Sequence, residues 1–347
     1  MSSWRGATPT RRRPNLLESL RGFLGFGRVE TMTDYSEMEM RIVYARTLNE
    51  LIERDPNVLC LEADLAKADA TIPEVSGKHP AHFINCGVQE ANMIGVGAGL
   101  AREGKIPFCA TFSAFASRRC YDQVTISVAY ANNNVKIVGN SPGITQGPNG
   151  GTHMCFQDLA IMRAMPNMHV YSPADANELR AVMFHMAANR QPTYLQLVRL
   201  KMPKICEADC RFDPEQAVRL AEGADVTLVA TGFMTRFALD AARALAREGI
   251  GVDLLHYPSV KPFDRPSLIA SARKTGGVVT VENQSIIGGL GSAVCEVLGE
   301  HHPVRVKRLG VPDRFGEVGD QDYLFQKHGF GPQHIAQACR EMASAAT

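Results

Sequence analysis

The chain has 347 residues, of which 45% are hydrophobic, so it can fill the cores of two or three domains of roughly 100–200 residues each and is not expected to be mainly disordered. Lysine and arginine total 37 against 36 aspartates and glutamates, a net charge of +1, which excludes the global positive field that draws proteins onto nucleic acids or anionic membranes. The longest uncharged apolar stretches, such as Met93–Ala101, fall far short of the ~20 residues of a membrane-spanning helix. We therefore expect a soluble protein with no nucleic-acid or membrane partner.

The number and spacing of the cysteines indicate the redox state of the cellular compartment. The nine cysteines are scattered, mostly inside apolar segments, with no Cys-x-x-Cys pair, a pattern typical of a reducing environment. We therefore predict a cytoplasmic protein. Cys206 and Cys210 could form half of a metal site, but no matching Cys/His pair follows at the spacing of a zinc site, so we predict no bound metal.

Residues 1–33 differ in composition from the rest of the chain, because arginine recurs there while acidic residues are scarce. Charges and glycines interrupt the apolar positions and no small-residue cleavage site follows, which argues against a secretory signal. The sequence after Met32 is typical of a folded protein. We interpret residues 1–33 as a disordered tail; the other interpretation is that residues 1–31 reflect an upstream start-site misassignment.

From about Asp34 the chain alternates short β-rich apolar runs with longer helical stretches, a pattern typical of parallel sheets covered by helices. The strands predicted in this part are Val58–Leu61, His82–Asn85, Ile106–Thr111, Val135–Gly139, His169–Ser172 and Thr193–Val198. The helices predicted between them are Arg41–Arg54, Glu90–Arg102, Ala116–Ala131 and Asp175–Asn189. These elements predict one doubly wound domain over residues 34–200.

A polar segment with scattered prolines, residues 201–224, is predicted to be a linker to a second series of strands and helices over residues 225–347. Its predicted strands are Val226–Thr231, Val252–His256, Val278–Glu282 and Val304–Leu309. Its predicted helices are Thr235–Glu248, Gly291–Leu298 and most of Asp322–Met342. The predicted fold class is therefore α/β, with two doubly wound domains in tandem.

Ligands of open α/β sheets lie beyond the carboxyl ends of the strands, so the loops that follow the predicted strands are where chemistry is expected. Glu90 follows the second strand and opens an apolar helix; alone, a glutamate there is typical of compensation of the helix dipole. Phe112 and Phe115 follow the third strand, and such a pair is typical of a core as well as of a ligand wall. The fourth strand leads into a loop rich in glycine and proline that ends at His153, a composition typical of functional loops, although the histidine alone could equally be structural.

The order and spacing of these three loops resemble the pyrimidine-binding domain of thiamine-diphosphate enzymes of the transketolase family. Four segments of the second half are similar to the C-terminal domain of that family: Val278–Asn283, Ile286–Val294, Arg314–Glu317 and Leu324–Gly329. The resemblance covers roughly Arg41 to the C-terminus. It implies a pyrimidine-binding domain over 34–200 and a transketolase C-terminal domain over 225–347.

Complete enzymes of the family also carry a diphosphate-binding domain that begins with Gly-Asp-Gly and holds the metal, and no Gly-Asp-Gly occurs in this sequence. The resemblance therefore implies the C-terminal subunit of a split transketolase. Thiamine diphosphate would be shared with a separate N-terminal subunit, and that partner would hold Mg²⁺. An α₂β₂ heterotetramer, in which copies of this chain also pair with each other, is the expected assembly.

The resemblance also implies roles for single residues. Glu90 falls on the cofactor glutamate, whose carboxyl group bonds the aminopyrimidine and so promotes loss of the thiazolium proton. Phe112 and Phe115 match aromatic residues that wall the ring and exclude water. His153 matches a histidine near the reacting oxygens and is suited to proton transfer near neutral pH. Asp64 matches an aspartate near the cofactor, although it could equally cap a helix.

For the substrate, Arg41 and Arg199 match arginines that hold a sugar phosphate, a task suited to planar cationic forks; solvated surface arginines are the alternative. The family's phosphate-binding histidine falls on Ser141, its phosphate-contacting serine falls near Ala68, and an aspartate that reads a sugar hydroxyl becomes Asn149. The loss of a cation and an anion changes what can be paired in a buried site. The resemblance thus implies a ketose donor, with pentose phosphates not assumed.

Two alternatives stay open at this point. One is the beta subunit of a 2-oxoacid dehydrogenase decarboxylase, which has the same layout of two domains; the Thr152-His153 ending of the loop and the C-terminal motifs are closer to split transketolases. The other is a non-catalytic partner that keeps the fold for assembly alone, against which the presence of Glu90 and His153 argues.

Overall fold

The computed structural model describes residues 33–344, so the tail predicted over 1–33 lies outside the described part except for Thr33. The described residues form two sheets flanked by helices, and the predicted α/β class is confirmed. No helix in this range is both long and apolar enough to cross a bilayer.

The strands are named in chain order. They are β1 (Val58–Glu62), β2 (Phe83–Asn85), β3 (Ile106–Phe112), β4 (Lys136–Asn140), β5 (His169–Tyr171), β6 (Thr193–Leu197), β7 (Val218–Ala221), β8 (Val226–Ala230), β9 (Val252–His256), β10 (Ser259–Lys261), β11 (Gly277–Ser285) and β12 (Arg305–Val311). The first sheet has seven strands in the order β10-β5-β6-β4-β3-β1-β2, and the second has five in the order β12-β11-β8-β9-β7.

The longer helices are named in the same way. They are α1 (Met40–Arg54), α2 (Glu90–Arg102), α3 (Asp158–Ala164), α4 (Ala176–Ala188), α5 (Thr235–Arg247), α6 (Arg265–Thr275), α7 (Leu290–His301), α8 (Gln321–His328) and α9 (Pro332–Ser344). Short helical turns lie at Ile72–Ser76, Pro80–His82, Gly143–Thr152 and Gly232–Met234.

Strands β1 to β6 pair in parallel, as the sequence predicts, and each lies within about two residues of its predicted range. The helix predicted over Ala116–Ala131 differs, because it is built of wide turns at Phe115–Arg119 and Val124–Tyr130 around one α-helical turn. Side-chain hydroxyls bond to carbonyls four residues earlier there, Thr125 to Tyr121 at 2.6 Å among them. Such bonds compete with the regular helical ladder.

In the second region the structure has elements that the sequence did not indicate. Strand β7 lies inside the segment predicted to be a linker and pairs antiparallel with β9; its four residues are too few for a clear pattern. Helix α6 begins after Asp264, whose carboxylate accepts a hydrogen bond from the Ser267 N–H at 3.0 Å, and Pro266 stands in its first turn. Both are ordinary signals of a helix start.

The two sheets share chain segments and buried contacts. Strand β10, which follows β9, joins the first sheet, where Ser259 pairs antiparallel with Tyr171 of β5. His256 at the end of β9 lies with its Nε2 atom 2.9 Å from a carboxylate oxygen of Glu178 in α4, and both residues are buried. The first sheet is therefore completed by a strand from the second half of the chain.

Candidate active site

Three neighbouring parallel strands of the first sheet end at the same level. Phe112, the last residue of β3, pairs with Asn140 of β4, which in turn pairs with Leu197 of β6. Because parallel strands share one carboxyl edge, the residues that follow these strands are brought to one place. The aromatic pair, the glycine-rich loop and Arg199 all leave the sheet here.

The aromatic pair and the histidine of the glycine-rich loop form one cluster. The ring centres of Phe112 and Phe115 lie 5.9 Å apart, and the His153 ring lies 5.4 Å and 5.2 Å from them in edge-to-face contacts. The Thr152 hydroxyl lies 2.9 Å from His153 Nδ1 and fixes the orientation of the ring. A cavity of about 540 Å³ is lined by Phe115, His153, Thr152, Arg118 and Arg119. The structure thus brings three of the predicted site residues into contact, and two of them, Phe115 and His153, line the cavity.

Glu90 is paired with an arginine that lines the same cavity. It is the first residue of α2 and only 4% exposed, and both of its carboxylate oxygens accept from Arg119 Nη1 at 2.9 Å. The guanidinium carbon of Arg119 lies 3.9 Å from the centre of the Phe115 ring. Sequence reasoning did not assign Arg119 this role; the only signal was two consecutive arginines after the aromatic pair. A buried carboxylate at a helix start, compensated by one half-exposed arginine, is suited to a polar ligand that can replace or join that arginine.

The glycine-rich loop is held by the second region. Asn283 in β11 donates from Nδ2 to the Pro142 carbonyl at 2.8 Å and accepts from the Ile144 N–H at 3.1 Å. Gly143 has φ of +59°, and a Cβ there would lie 1.9 Å from the Asn283 carbonyl oxygen. Only glycine fits this approach. The loop that carries His153 is therefore positioned by contacts more than a hundred residues away in sequence.

Behind Phe112 lies a buried group of charges. The guanidinium carbon of Arg199 lies 4.6 Å from the centre of the Phe112 ring, and its Nε atom lies 3.6 Å from Asp69 Oδ1. Asn140 donates from Nδ2 to Asp69 Oδ2 at 2.6 Å. Sequence reasoning missed Asp69 and Asn140, since nothing in their local sequence shows that residues 71 positions apart are in contact.

Two carboxyl groups in this region are buried in a way that disfavours their charged forms. Burial raises the pKa of Asp69 to about 7 even though Arg199 and Arg41 oppose the shift. Burial and the nearby Asp69 raise the pKa of Glu62 well above its ordinary value, against the hydrogen bond from Thr71. Within residues 33–344, Asp69 Oδ1, Glu62 Oε2 and the Nε and Nη2 atoms of Arg199 are buried without a hydrogen bond. These open donors and acceptors indicate a place built for a further polar group.

Two other predicted substrate residues, Arg41 and Ser141, lie close to members of this group in sequence or in space. Arg41 donates from Nη1 to the Ala68 carbonyl at 3.1 Å and from Nε to Glu39 at 2.5 Å, so it adjoins the segment that carries Asp69. Ser141 is buried with φ of +51° directly after β4, and its carbonyl accepts from the Ser113 hydroxyl at 3.5 Å.

Two predicted site residues are not in the cluster. Asp64 follows β1 with φ of +62°; its N–H donates to Asn85 Oδ1 at 3.1 Å, and its carboxylate accepts from Asn85 Nδ2 at 3.3 Å. Asn149 is exposed in the glycine-rich loop. Neither makes a hydrogen bond or ion pair with Glu90 or the aromatic cluster in the part of the chain described.

The cavity fits one part of the cofactor that the sequence resemblance implies. A buried carboxyl group beside aromatic rings suits a flat heteroaromatic ring with a polar edge, such as an aminopyrimidine. The described residues contain no group of three or more His, Cys, Asp or Glu side chains that could hold a metal ion. The donor set therefore suits the pyrimidine part of that cofactor.

Comparison with known families agrees with this architecture. The model of the transketolase pyrimidine-binding domain matches residues 36–204, and the model of the transketolase C-terminal domain matches residues 215–335.

Individual relatives cover most of the chain. The 6-deoxy-6-sulfo-D-fructose transketolase subunit SqwH of Clostridium sp. (strain MSTE9) is 49% identical over 303 residues, which are 87% of this chain and 94% of that protein. One of the subunits of the apulose-4-phosphate transketolase of Phocaeicola vulgatus is 33% identical over 299 residues, 86% of this chain and 95% of that protein. A solved structure described as a split gene transketolase, inactive beta4 tetramer, superimposes with a TM-score of 0.81 at 40% identity and covers 89% of this chain and 99% of that one.

Proposed function

The chain belongs to the transketolase family, and we propose that it supplies one half of an active site that an N-terminal subunit completes. It is the C-terminal subunit of a two-subunit transketolase, a transferase that moves a two-carbon ketol unit from a ketose to an aldose. The observation that supports the composite site is a cavity lined by Phe115, His153 and Arg119, in which Arg119 is paired with buried Glu90. The relatives named above favour this activity over a 2-oxoacid decarboxylase subunit or a purely structural partner.

The family depends on thiamine diphosphate, which supplies the nucleophilic carbon that carries the ketol unit. In the proposed site, the carboxyl group of Glu90 holds a proton at the ring nitrogen of the aminopyrimidine and thereby orients the ring. Phe112 and Phe115 wall the ring and exclude water, so that charges in the site act in a low dielectric. Asp64 is exposed at the same edge of the sheet, just after β1, and is proposed to contact the cofactor there.

His153 is proposed to move protons at the substrate hydroxyl and carbonyl oxygens, since its ring lies on the aromatic wall and its Nδ1 atom is paired with Thr152. An imidazole titrates near neutral pH and can both accept and return such a proton. Asn149 is proposed to contact a sugar hydroxyl, where an amide replaces the family's aspartate. Ser141 is proposed to lie at the anionic end of the sugar, where a serine replaces the family's histidine.

The donor is proposed to be a ketose with an anionic group at its far end, held by Arg41 and Arg199. Buried donor atoms of Arg199 without a hydrogen bond support this role. The names of the two relatives, a transketolase for a sulfonated fructose and one for apulose 4-phosphate, each specify an anionic sugar. A sulfonated or phosphorylated ketose is therefore the proposed substrate class.

The N-terminal subunit is proposed to bind the diphosphate and Mg²⁺, in an α₂β₂ assembly in which copies of this chain pair with one another, in the cytoplasm. The related split transketolase described as an inactive tetramer of beta subunits supports the need for that partner. The lack of a Gly-Asp-Gly motif in this sequence agrees with it.

Calorimetry with thiamine diphosphate and Mg²⁺ tests the composite site. The chain is titrated alone and then together with the N-terminal transketolase subunit encoded beside it. We expect saturable binding and ketol transfer only in the mixture, because this chain offers the pyrimidine half of the site alone. Tight binding of the cofactor by the lone chain would contradict the division of the site between two subunits.

A further inference from the structure

Asp69 stands behind the two arginines that are proposed to hold the anionic end of the substrate. It is fully buried; Asn140 holds its Oδ2 atom at 2.6 Å, while its Oδ1 atom lies 3.6 Å from Arg199 Nε. We propose that Asp69 is a specificity-determining residue: its carboxylate offsets the positive charge of Arg199 in the anion subsite, so that the subsite prefers a singly charged group such as a sulfonate to a doubly charged phosphate. This inference rests on the proposed function, because it assumes that the anionic end of the ketose lies at Arg199.

The geometry defines the subsite. Arg199 is fixed from one side by the Phe112 ring and from another by the ion pair of its Nε atom with Asp69, yet its Nη2 atom is buried with no hydrogen bond among the described residues. Arg41 reaches the carbonyl of Ala68, the residue before Asp69. Buried guanidinium donors without acceptors are costly unless a ligand supplies the acceptors. An anion at this point would satisfy them.

The net charge follows from the groups that face Asp69. Arg199 and Arg41 are positive, and both favour the ionised form of Asp69. Glu62 also faces Asp69, and burial raises its pKa well above its ordinary value, which favours its neutral form. Burial likewise raises the pKa of Tyr44 and Cys60 and keeps them neutral. Glu39 offsets the charge of Arg41, whose Nε atom donates to it at 2.5 Å. The ionised Asp69 therefore offsets Arg199, whereas the protonated Asp69 leaves one positive charge.

A doubly charged anion would leave a net negative charge in this buried group, which is unfavourable unless a proton is taken up. Burial raises the pKa of Asp69 to about 7, so the proton is available near neutral pH. Below this pKa the protonated Asp69 leaves the positive charge of Arg199 uncompensated, which favours a dianion, and above it the ionised Asp69 offsets that charge. Affinity for a dianion is thus expected to fall as pH rises through about 7, while affinity for a monoanion changes less.

Two sulfur oxyanions of different charge distinguish the binding of a dianion from that of a monoanion. Sulfate carries two negative charges and methanesulfonate one, and neither changes charge between about pH 6 and about pH 8. Each is tested as a competitive inhibitor of the anionic ketose in the assembled two-subunit enzyme. In the wild type we expect the inhibition constant of sulfate to rise about tenfold between these pH values, as loss of one required proton predicts.

Asp69→Asn keeps the shape of the side chain and removes its charge. We expect sulfate to bind about tenfold more tightly than to the wild type at about pH 8, with its pH dependence flattened and methanesulfonate affinity little changed. Glu62→Gln is the matched control, because it alters the neighbouring buried carboxyl whose neutral form burial favours. The ratio of the two inhibition constants is expected to stay as in the wild type. Asn140→Ala, which removes the hydrogen bond to Asp69, is expected to move the fall in sulfate affinity to higher pH, and it serves if Asp69→Asn does not fold.

An unchanged ratio of the two inhibition constants in Asp69→Asn at both pH values would overturn the inference while leaving ketol transfer in place. A wild-type complex that transfers no ketol unit from any anionic ketose would instead contradict the proposed function. In that case, calorimetric titration of sulfate and methanesulfonate into the complex still decides whether Asp69 selects anions by charge, and equal affinities in wild type and Asp69→Asn would refute that role.

Discussion

Each of the two sheets has a buried glutamate near the carboxyl end of one of its strands, and the two glutamates differ in their hydrogen bonds. Glu282, near the end of β11, accepts hydrogen bonds from the N–H groups of Leu290 and Gly291 at 2.9 Å and 2.8 Å, at the start of α7. Glu62, the last residue of β1, accepts from the Thr71 hydroxyl at 3.0 Å, and its Oε2 atom has no hydrogen bond within the described residues.

The contrast separates a structural edge from a functional one. At the second sheet the chain supplies a partner for both carboxylate oxygens of Glu282, and Gly289 is needed because a Cβ there would lie 1.9 Å from Glu282 Oε2. At the first sheet, Glu62, Asp69 and Arg199 have buried atoms without a hydrogen bond among the described residues, and Arg199 contacts the Phe112 ring. A buried carboxyl that is fully paired holds a fold together, whereas a group of buried charges with open positions is expected where a ligand completes it.

The strongest test of this contrast is Glu90→Gln. Because a glutamine cannot carry the proton that Glu90 is proposed to hold at the pyrimidine ring, we expect kcat of the assembled enzyme to fall about 100- to 10,000-fold, with the thermal midpoint little changed. Steady-state assays of ketol transfer measure this. Glu103→Gln, at the exposed far end of the same helix, is the control; a Glu90→Gln enzyme within about threefold of that control would refute the catalytic role.

The second test concerns the two matching glutamates. Glu282→Met leaves two buried backbone N–H groups without acceptors, and we expect a loss of about 2–4 kcal/mol in the free energy of unfolding. Glu62→Met removes an acceptor that is only half satisfied, and the Thr71 hydroxyl keeps a contact with the Ala66 carbonyl at 3.2 Å, so the change is expected within about 1 kcal/mol or stabilising. Urea unfolding of both variants compares them, and equal losses would remove the distinction between the edges.

The third test compares one aromatic contact at each edge. Phe115→Ala removes part of the cavity wall and the ring under Arg119, and we expect thiamine diphosphate to bind the complex about tenfold more weakly. Phe263, whose ring stacks on Tyr257 with centres 4.4 Å apart, gives the matched variant Phe263→Ala. That variant is expected to lower the thermal midpoint with little change in cofactor affinity, and the reverse pattern in calorimetry and melting would contradict the assignment.

Much of the fold could be predicted because its signals are local. The six parallel strands of the first sheet are apolar runs between clear helices, and Glu90 begins α2 as its sequence indicates. Strands β7 and β10 were missed because four and three residues carry no usable period, and their pairing depends on partners far along the chain. Tertiary context decides such short strands.

The residues of the candidate site that have a local sequence signal could also be predicted. Phe112, Phe115 and His153 stand in loops whose composition is unusual, and the structure brings them into contact. Arg119 and Asp69 were not predicted, because an arginine on a helical turn and an aspartate in a loop look like ordinary polar residues. Their roles arise from packing against Glu90 and Arg199, which no local pattern encodes.

The shared strand β10 has a consequence during synthesis on the ribosome. About ninety residues separate Tyr171 from its partner Ser259, and at about 5–20 residues per second they take roughly 5–20 s to emerge. Throughout that interval the edge of β5 presents unpaired backbone groups, the kind of edge that recruits other nascent strands. During synthesis the first sheet is thus incomplete until β10, which covers the edge of β5, has been translated. Slow translation of the intervening segment would lengthen the time for which this edge is exposed.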